Sequence, residues 1–297
     1  MSSQLFKGAG VAIITPFDEE GNVDFESLKL LLETFMSKEG PDFLTVNGTT
    51  AESATLEDSE KVAILQFVKE HNTAKKPIMY GIGGNNTAKV LKTIKETDFT
   101  DVQAILSVCP YYNKPSQEGI YQHYVAIADA SPVPVMLYNI PGRTGVNMTV
   151  NTIVKLSHHK NIFGIKEASG DLTQAAEIKR QTGDDFVLSA GDDLLAVPMI
   201  SLGAIGSISV LSNLYPKKYA TMLRLANAGN FEAARKHLFD FMEINPLLYA
   251  EGNPVGAKYV LSELDIIENY VRLPLVSASA DLQYRLKQAM GRLSDEV

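Results

Sequence analysis

Lys166 closes the apolar run Ile162-Phe163-Gly164-Ile165 and opens Glu167-Ala168-Ser169-Gly170. A lysine carried on an apolar run is expected inside the fold, where burial disfavours the ammonium form. The neutral amine is a nucleophile able to form a Schiff base with a ketone or 2-oxo acid. The competing reading is a structural lysine paired with Glu167 or another carboxylate. Tyr138 ends the run Val135-Met136-Leu137, where a phenol can shuttle protons as a carbinolamine forms and collapses. Its plainer alternative is a core tyrosine with a satisfied hydroxyl. Thr49 and Thr50 follow Gly48 behind a third run; their hydroxyls and backbone N–H groups suit a carboxylate, or merely cap a turn. Arg143 lies in Ile140-Pro141-Gly142-Arg143-Thr144-Gly145, where a guanidinium suits bidentate capture of a carboxylate or is simply an exposed loop arginine.

These residues need a scaffold that brings separate loops to one end. Eight short apolar runs begin at residues 11, 43, 78, 104, 135, 162, 186 and 205. Their near-continuous apolar character is that of parallel strands covered on both faces. Amphipathic stretches lie between them, with Asp24, Thr55 and Ser116 standing where a helix N-cap belongs. Eight β-then-α units predict an α/β chain of the (β/α)8 TIM-barrel class over residues 1–229. Residues 230–297 read as a C-terminal helical appendix. In such barrels the site lies at the carboxyl ends of the strands. There stand the Thr49–Thr50 loop, Pro110-Tyr111-Tyr112-Asn113-Lys114-Pro115, the Arg143 loop, the segment after Lys166, and Gly191-Asp192-Asp193.

The sequence argues against several function classes. Gly81-Ile82-Gly83-Gly84 lacks the spacing of a dinucleotide fingerprint. Asp192 and Asp193 would repel a phosphate where these barrels usually bind one, which argues against a sugar-phosphate aldolase. His158-His159 falls at the opposite end of the barrel with no further ligand set, so no metal site is expected. Across the 297 residues, 27 Lys+Arg against 35 Asp+Glu give a net charge of −8, unsuited to nucleic acid. Hydrophobic residues at 45% can fill a large core, and a single cysteine, Cys109, excludes an intrachain disulfide and fits a reducing compartment. No secretory leader and no membrane span are expected, so a cytoplasmic protein is.

Taken together, Gly48-Thr49-Thr50-Ala51-Glu52-Ser53, Tyr138-Asn139-Ile140-Pro141 and Gly164-Ile165-Lys166-Glu167 resemble the pyruvate-dependent class I aldolases of the dihydrodipicolinate synthase/N-acetylneuraminate lyase family. The resemblance spans essentially the whole chain and implies that Lys166 is the Schiff-base lysine, with no dissociable cofactor. The Pro110–Gly119 segment and Arg143-Thr144-Gly145 resemble the synthase branch. That branch implies condensation of pyruvate with L-aspartate-4-semialdehyde to 4-hydroxy-tetrahydrodipicolinate, the first committed step toward diaminopimelate and lysine. Catalytic roles then fall to Lys166, Tyr138, Thr49 and Tyr112, the last reaching into a neighbouring subunit of a homotetramer built as a dimer of dimers. Thr50, Arg143, Gly191 and Ile208 are the implied substrate-binding residues, with Arg143 taking the semialdehyde carboxylate. Other pyruvate aldolases of the family, or a non-catalytic sensor of pyruvate or amino acids, are the alternatives. Ala51 replaces the family's usual glycine, which would matter if the backbone there needed positive φ. Lys89 replaces a glutamate that receives the ligand ammonium in lysine-inhibited relatives, implying weak or absent inhibition by L-lysine.

Overall fold

A computed structural model describes residues 2–293. Its strands are β1 (Gly8–Ala12), β2 (Phe43–Val46), β3 (Ile78–Gly81), β4 (Ala104–Val108), β5 (Val135–Asn139), β6 (Ile162–Glu167), β7 (Val187–Ala190) and β8 (Gly206–Ser209). They close in sequence order into one barrel, and helices follow the strands: the (β/α)8 architecture. β1 begins three residues before the run Val11-Ala12-Ile13-Ile14, because the ladder follows hydrogen bonds rather than apolarity. Gly8 N already donates to Ile205 O at 3.0 Å.

Helix starts follow their caps. Asp24 accepts from Ser27 N ahead of Phe25–Phe35, and Ser116 accepts from Gly119 N ahead of Gln117–Ala130. The helix expected behind Thr55 instead begins at Asp58, capped by Glu57 in a reciprocal box with Glu60. Thr55 turns back, its Oγ1 donating to Glu52 O at 3.0 Å. The eighth barrel helix is Pro216–Asn227, and beyond it come Phe231–Phe241, Ile244–Tyr249, Val255–Glu263 and Ala280–Met290. The short helix Ile244–Tyr249 escaped the sequence reading because Ile244, Asn245, Leu247 and Leu248 are all buried, leaving no amphipathic period.

The chain forms two compact units. One contains Pro77–Ile208 with the N-terminal segment up to Gly8; the other contains Ala9–Lys76 with the segment from Ser209 onward. In the first, side-chain parity organises the strand ends. Tyr138, Lys166 and Ser189 are register partners across β5, β6 and β7, while Asn139, Glu167 and Ala190 form the next row. Successive residues of a strand face opposite sides, so Lys166 and Glu167 serve different surroundings. Among the described residues no helix is long and apolar enough to cross a membrane.

Candidate active site

The first unit carries the lysine. Lys166 is 7% exposed, and its Nζ stands 4.5 Å from the ring centroid of Tyr138, itself 5% exposed. Gly191 makes room for it: a Cβ at residue 191 would lie 3.0 Å from Lys166 Cε and 2.6 Å from Ala168 Cβ. Only a residue without a side chain leaves the lysine stem its path. Glu167 is not the lysine's partner. Its carboxylate accepts from Asn139 Nδ2 at 3.0 and 3.2 Å, from Gln174 Nε2 at 3.1 Å and from Ser169 N at 2.7 Å. The structural alternative for Lys166 as the mate of Glu167 is thereby removed. Ile208, in β8, is buried.

The Asn139 side chain also organises the loop that follows β5. Its Oδ1 accepts from Met148 N and its Nδ2 donates to Asn147 Oδ1, so the two ends of the segment carrying Arg143 are tied together. Arg143 lies in the turn Pro141–Thr144 and is exposed. Tyr112 N donates to Thr144 O, and the Tyr112 ring is 88% exposed. Tyr112 and Lys114 have φ of 73° and 47°, the left-handed region that side chains other than glycine occupy at a cost. His159, away from this constellation, pairs with Asp129 at 3.1 Å.

The second unit carries the threonines. Thr49, Thr50 and Ala51 form a 3-10 turn in which Thr49 is half-buried and Thr50 is buried. Ala51 does not occupy the left-handed region; Glu52 does, with φ 54°, so a methyl group at residue 51 fits without backbone strain. Glu52 ends in a buried charge cluster. Its Oε1 pairs with Lys258 Nζ at 2.7 Å, both side chains being enclosed, and its Oε2 accepts from Arg272 N at 3.0 Å. Lys258 Nζ also donates to Tyr270 O at 2.7 Å and stands 3.9 Å from the Phe17 ring centroid. Burial pulls the Lys258 ammonium down to about 8 against the opposing pull of Glu52. Arg272 forks onto Glu60 at 2.5 and 2.8 Å, which holds the Glu60 carboxyl below its usual range. Asn253 Nδ2 donates to Thr50 Oγ1 at 3.0 Å. None of Glu52, Lys258 and Asn253 was given a role by sequence reasoning, and no local pattern marks them, since their partners lie some two hundred residues away.

A parallel (β/α)8 barrel with a buried lysine beside a tyrosine at the strand ends is the arrangement that a lysine-dependent, Schiff-base aldolase would use. Comparison with known proteins refines that class. The Dihydrodipicolinate synthetase family matches residues 5–293. The 4-hydroxy-tetrahydrodipicolinate synthase of Cytophaga hutchinsonii is 53% identical over 291 residues, covering 98% of both chains. A dihydrodipicolinate synthase from Cyanidioschyzon merolae, solved with lysine bound, superposes with a TM-score of 0.93 at 39% identity, covering 97% of this chain and 98% of that one. The chloride-inhibited enzyme of Acinetobacter baumannii, complexed with pyruvate, gives 0.94 at 35%, covering 97% and 99%. The chain belongs to the dihydrodipicolinate synthetase family.

Proposed function

We propose that this chain condenses pyruvate with L-aspartate-4-semialdehyde, in the cytoplasm, to give 4-hydroxy-tetrahydrodipicolinate. The observation that carries this reading is the buried Lys166 in register with Tyr138, in a chain that matches the family from residue 5 to residue 293. Lys166 Nζ attacks the ketone carbon of pyruvate, and the ketone oxygen leaves as water after taking up protons. The resulting iminium is an electron sink, so a methyl proton departs and an enamine forms. The enamine carbon adds to the aldehyde. The amine of the adduct then displaces Lys166, closing the ring and returning the free lysine.

Tyr138, with Thr49 and the Tyr112 of a neighbouring subunit, moves the protons of these steps. Thr50 and the backbone N–H groups of its turn hold the pyruvate carboxylate, Gly191 and Ile208 line the substrate, and Arg143 receives the semialdehyde carboxylate. The exposure of Tyr112 on its own chain supports a tetramer in which that ring serves another subunit. Residues 1–229 are the catalytic barrel in this scheme and residues 230–297 a helical segment serving it. The covalent chemistry belongs to Lys166, so no separate cofactor enters.

Borohydride reduction with pyruvate tests the assignment. It should fix one adduct per chain, on Lys166, and a coupled assay across an aldehyde panel should favour the semialdehyde. An adduct mapped to another lysine, or a preferred polyhydroxylated aldehyde, would overturn the reading.

A further inference from the structure

The helix Val255–Glu263 is entered through Asn253, a residue only 8% exposed and without a place in the scheme above. Its Nδ2 donates to Thr50 Oγ1, and its Oδ1 is buried with no hydrogen-bond partner among the described residues. We infer that Asn253 is a positioning residue: by donating to the Thr50 oxygen, it directs the Thr50 hydroxyl hydrogen toward the carboxylate of the bound 2-oxo acid. This rests on the proposed role of Thr50 in holding that carboxylate.

A threonine hydroxyl has one hydrogen to give and two lone pairs with which to accept. An amide NH2 group can only donate, so the Thr50 oxygen serves Asn253 as acceptor and its single hydrogen remains for another acceptor. An anion receiving that hydrogen gains a charge-assisted bond. The helix that follows Asn253 attaches to the loop as well. Lys258, five residues beyond Asn253 and within the helix, holds the carboxylate of Glu52, two residues beyond Thr50, at 2.7 Å. Two independent attachments therefore fix both the place of the loop and the direction of its hydroxyl, which is how a supporting shell confers precision on a binding group.

A substitution that reverses the polarity of the bond is the sharpest test. In Asn253→Asp an ionised carboxylate accepts the Thr50 hydrogen and takes it away from the substrate. The shape is nearly unchanged, and the protonated acid donates again. The measurement is the pyruvate concentration that half-saturates borohydride trapping, taken as the ratio of variant to parent at each pH between about 5 and 8. The ratio should be at least tenfold at the upper end, where the introduced acid is ionised. Asn253→Ala should raise half-saturation severalfold when Thr50 is present and have no further effect in Thr50→Val. A ratio near one for Asn253→Asp at every pH, or an Asn253→Ala effect that persists in Thr50→Val, would overturn the inference. Absence of pyruvate trapping in the parent protein would instead overturn the proposed function. An Asn253→Ala effect that requires the Thr50 hydroxyl separates positioning from loss of structure.

Discussion

The Arg143 guanidinium projects from a hydrogen-bonded turn: Arg143 N and Thr144 N both donate to Ile140 O, and Gly145 N to Pro141 O. These bonds fix the backbone that carries the proposed substrate clamp. Arg143→Ala should remove about 1.5–3 kcal/mol of charge-assisted binding, one to two decades in semialdehyde affinity. Borohydride trapping of pyruvate should be unchanged; equal loss of both functions would make Arg143 structural. Lys258 is the opposite kind of basic residue, with no exposure and a paired ammonium. Its folded pKa of about 8 lies below the ordinary 10.5, so between those values the unfolded chain binds the proton that the native one has lost. Stability contributed by this group accordingly rises as pH increases from about 8 to 10.5, by up to roughly 3 kcal/mol. Denaturant unfolding should show that rise as a difference between the parent protein and Lys258→Met. A difference that is flat across the window would contradict it.

At the scale of elements, β5 and β6 divide their last residues between two tasks. The Tyr138–Lys166 row carries the proposed chemistry, while the Asn139–Glu167 row fastens both strand ends to the helix Leu172–Gln181 through Gln174. Glu167 is a buried carboxylate satisfied by amide donors rather than by a cation. Removing an acceptor of that kind leaves its donors buried and unpaired, at about 1–3 kcal/mol for each donor unable to reach water. Glu167→Ala should lower stability by roughly 3 kcal/mol and loosen the Arg143 loop, while Glu167→Gln, which keeps an oxygen acceptor, should cost markedly less. Thermal unfolding of the two variants compares them. Equal midpoints for Glu167→Ala and the parent protein would mean that the network is not a strut.

For the molecule as a whole, Tyr111 and Tyr112 are exposed large side chains on the loop after β4, and Asn85 Nδ2 donates to Tyr111 O at 3.3 Å. This ties the segment preceding the helix Thr87–Glu96 to the same loop. Lys89, in the first turn of that helix, is exposed. By family resemblance this is where lysine-inhibited relatives present a glutamate to the ligand's ammonium. Two cations about 4 Å apart repel by ~4 kcal/mol at an effective dielectric near 20, enough to cancel a modest affinity. L-lysine should therefore inhibit weakly or not at all, and Lys89→Glu should create measurable lysine binding in calorimetry. Saturable inhibition of the parent protein at sub-millimolar lysine would defeat this expectation.

What the sequence by itself determined was local and periodic. Eight apolar runs announced the strands, and the position of Lys166 and Tyr138 at the ends of two of them placed both residues at the carboxyl ends of β5 and β6. Caps such as Asp24 and Ser116 were legible because a side chain and the N–H it accepts lie within three residues. The Thr55 assignment failed on the same kind of local detail, the Glu57–Glu60 pair being the stronger cap. Only the tertiary structure decided that Glu167 faces away from Lys166, that Glu52 rather than Ala51 takes the left-handed turn, and that Asn253 of the C-terminal segment braces the Thr49–Thr50 loop. Asn253 and Thr50 are separated by 203 residues. Hydrophobic period carries no information about such a pair, because a buried polar group is specified by one partner in space rather than by its neighbours in the chain.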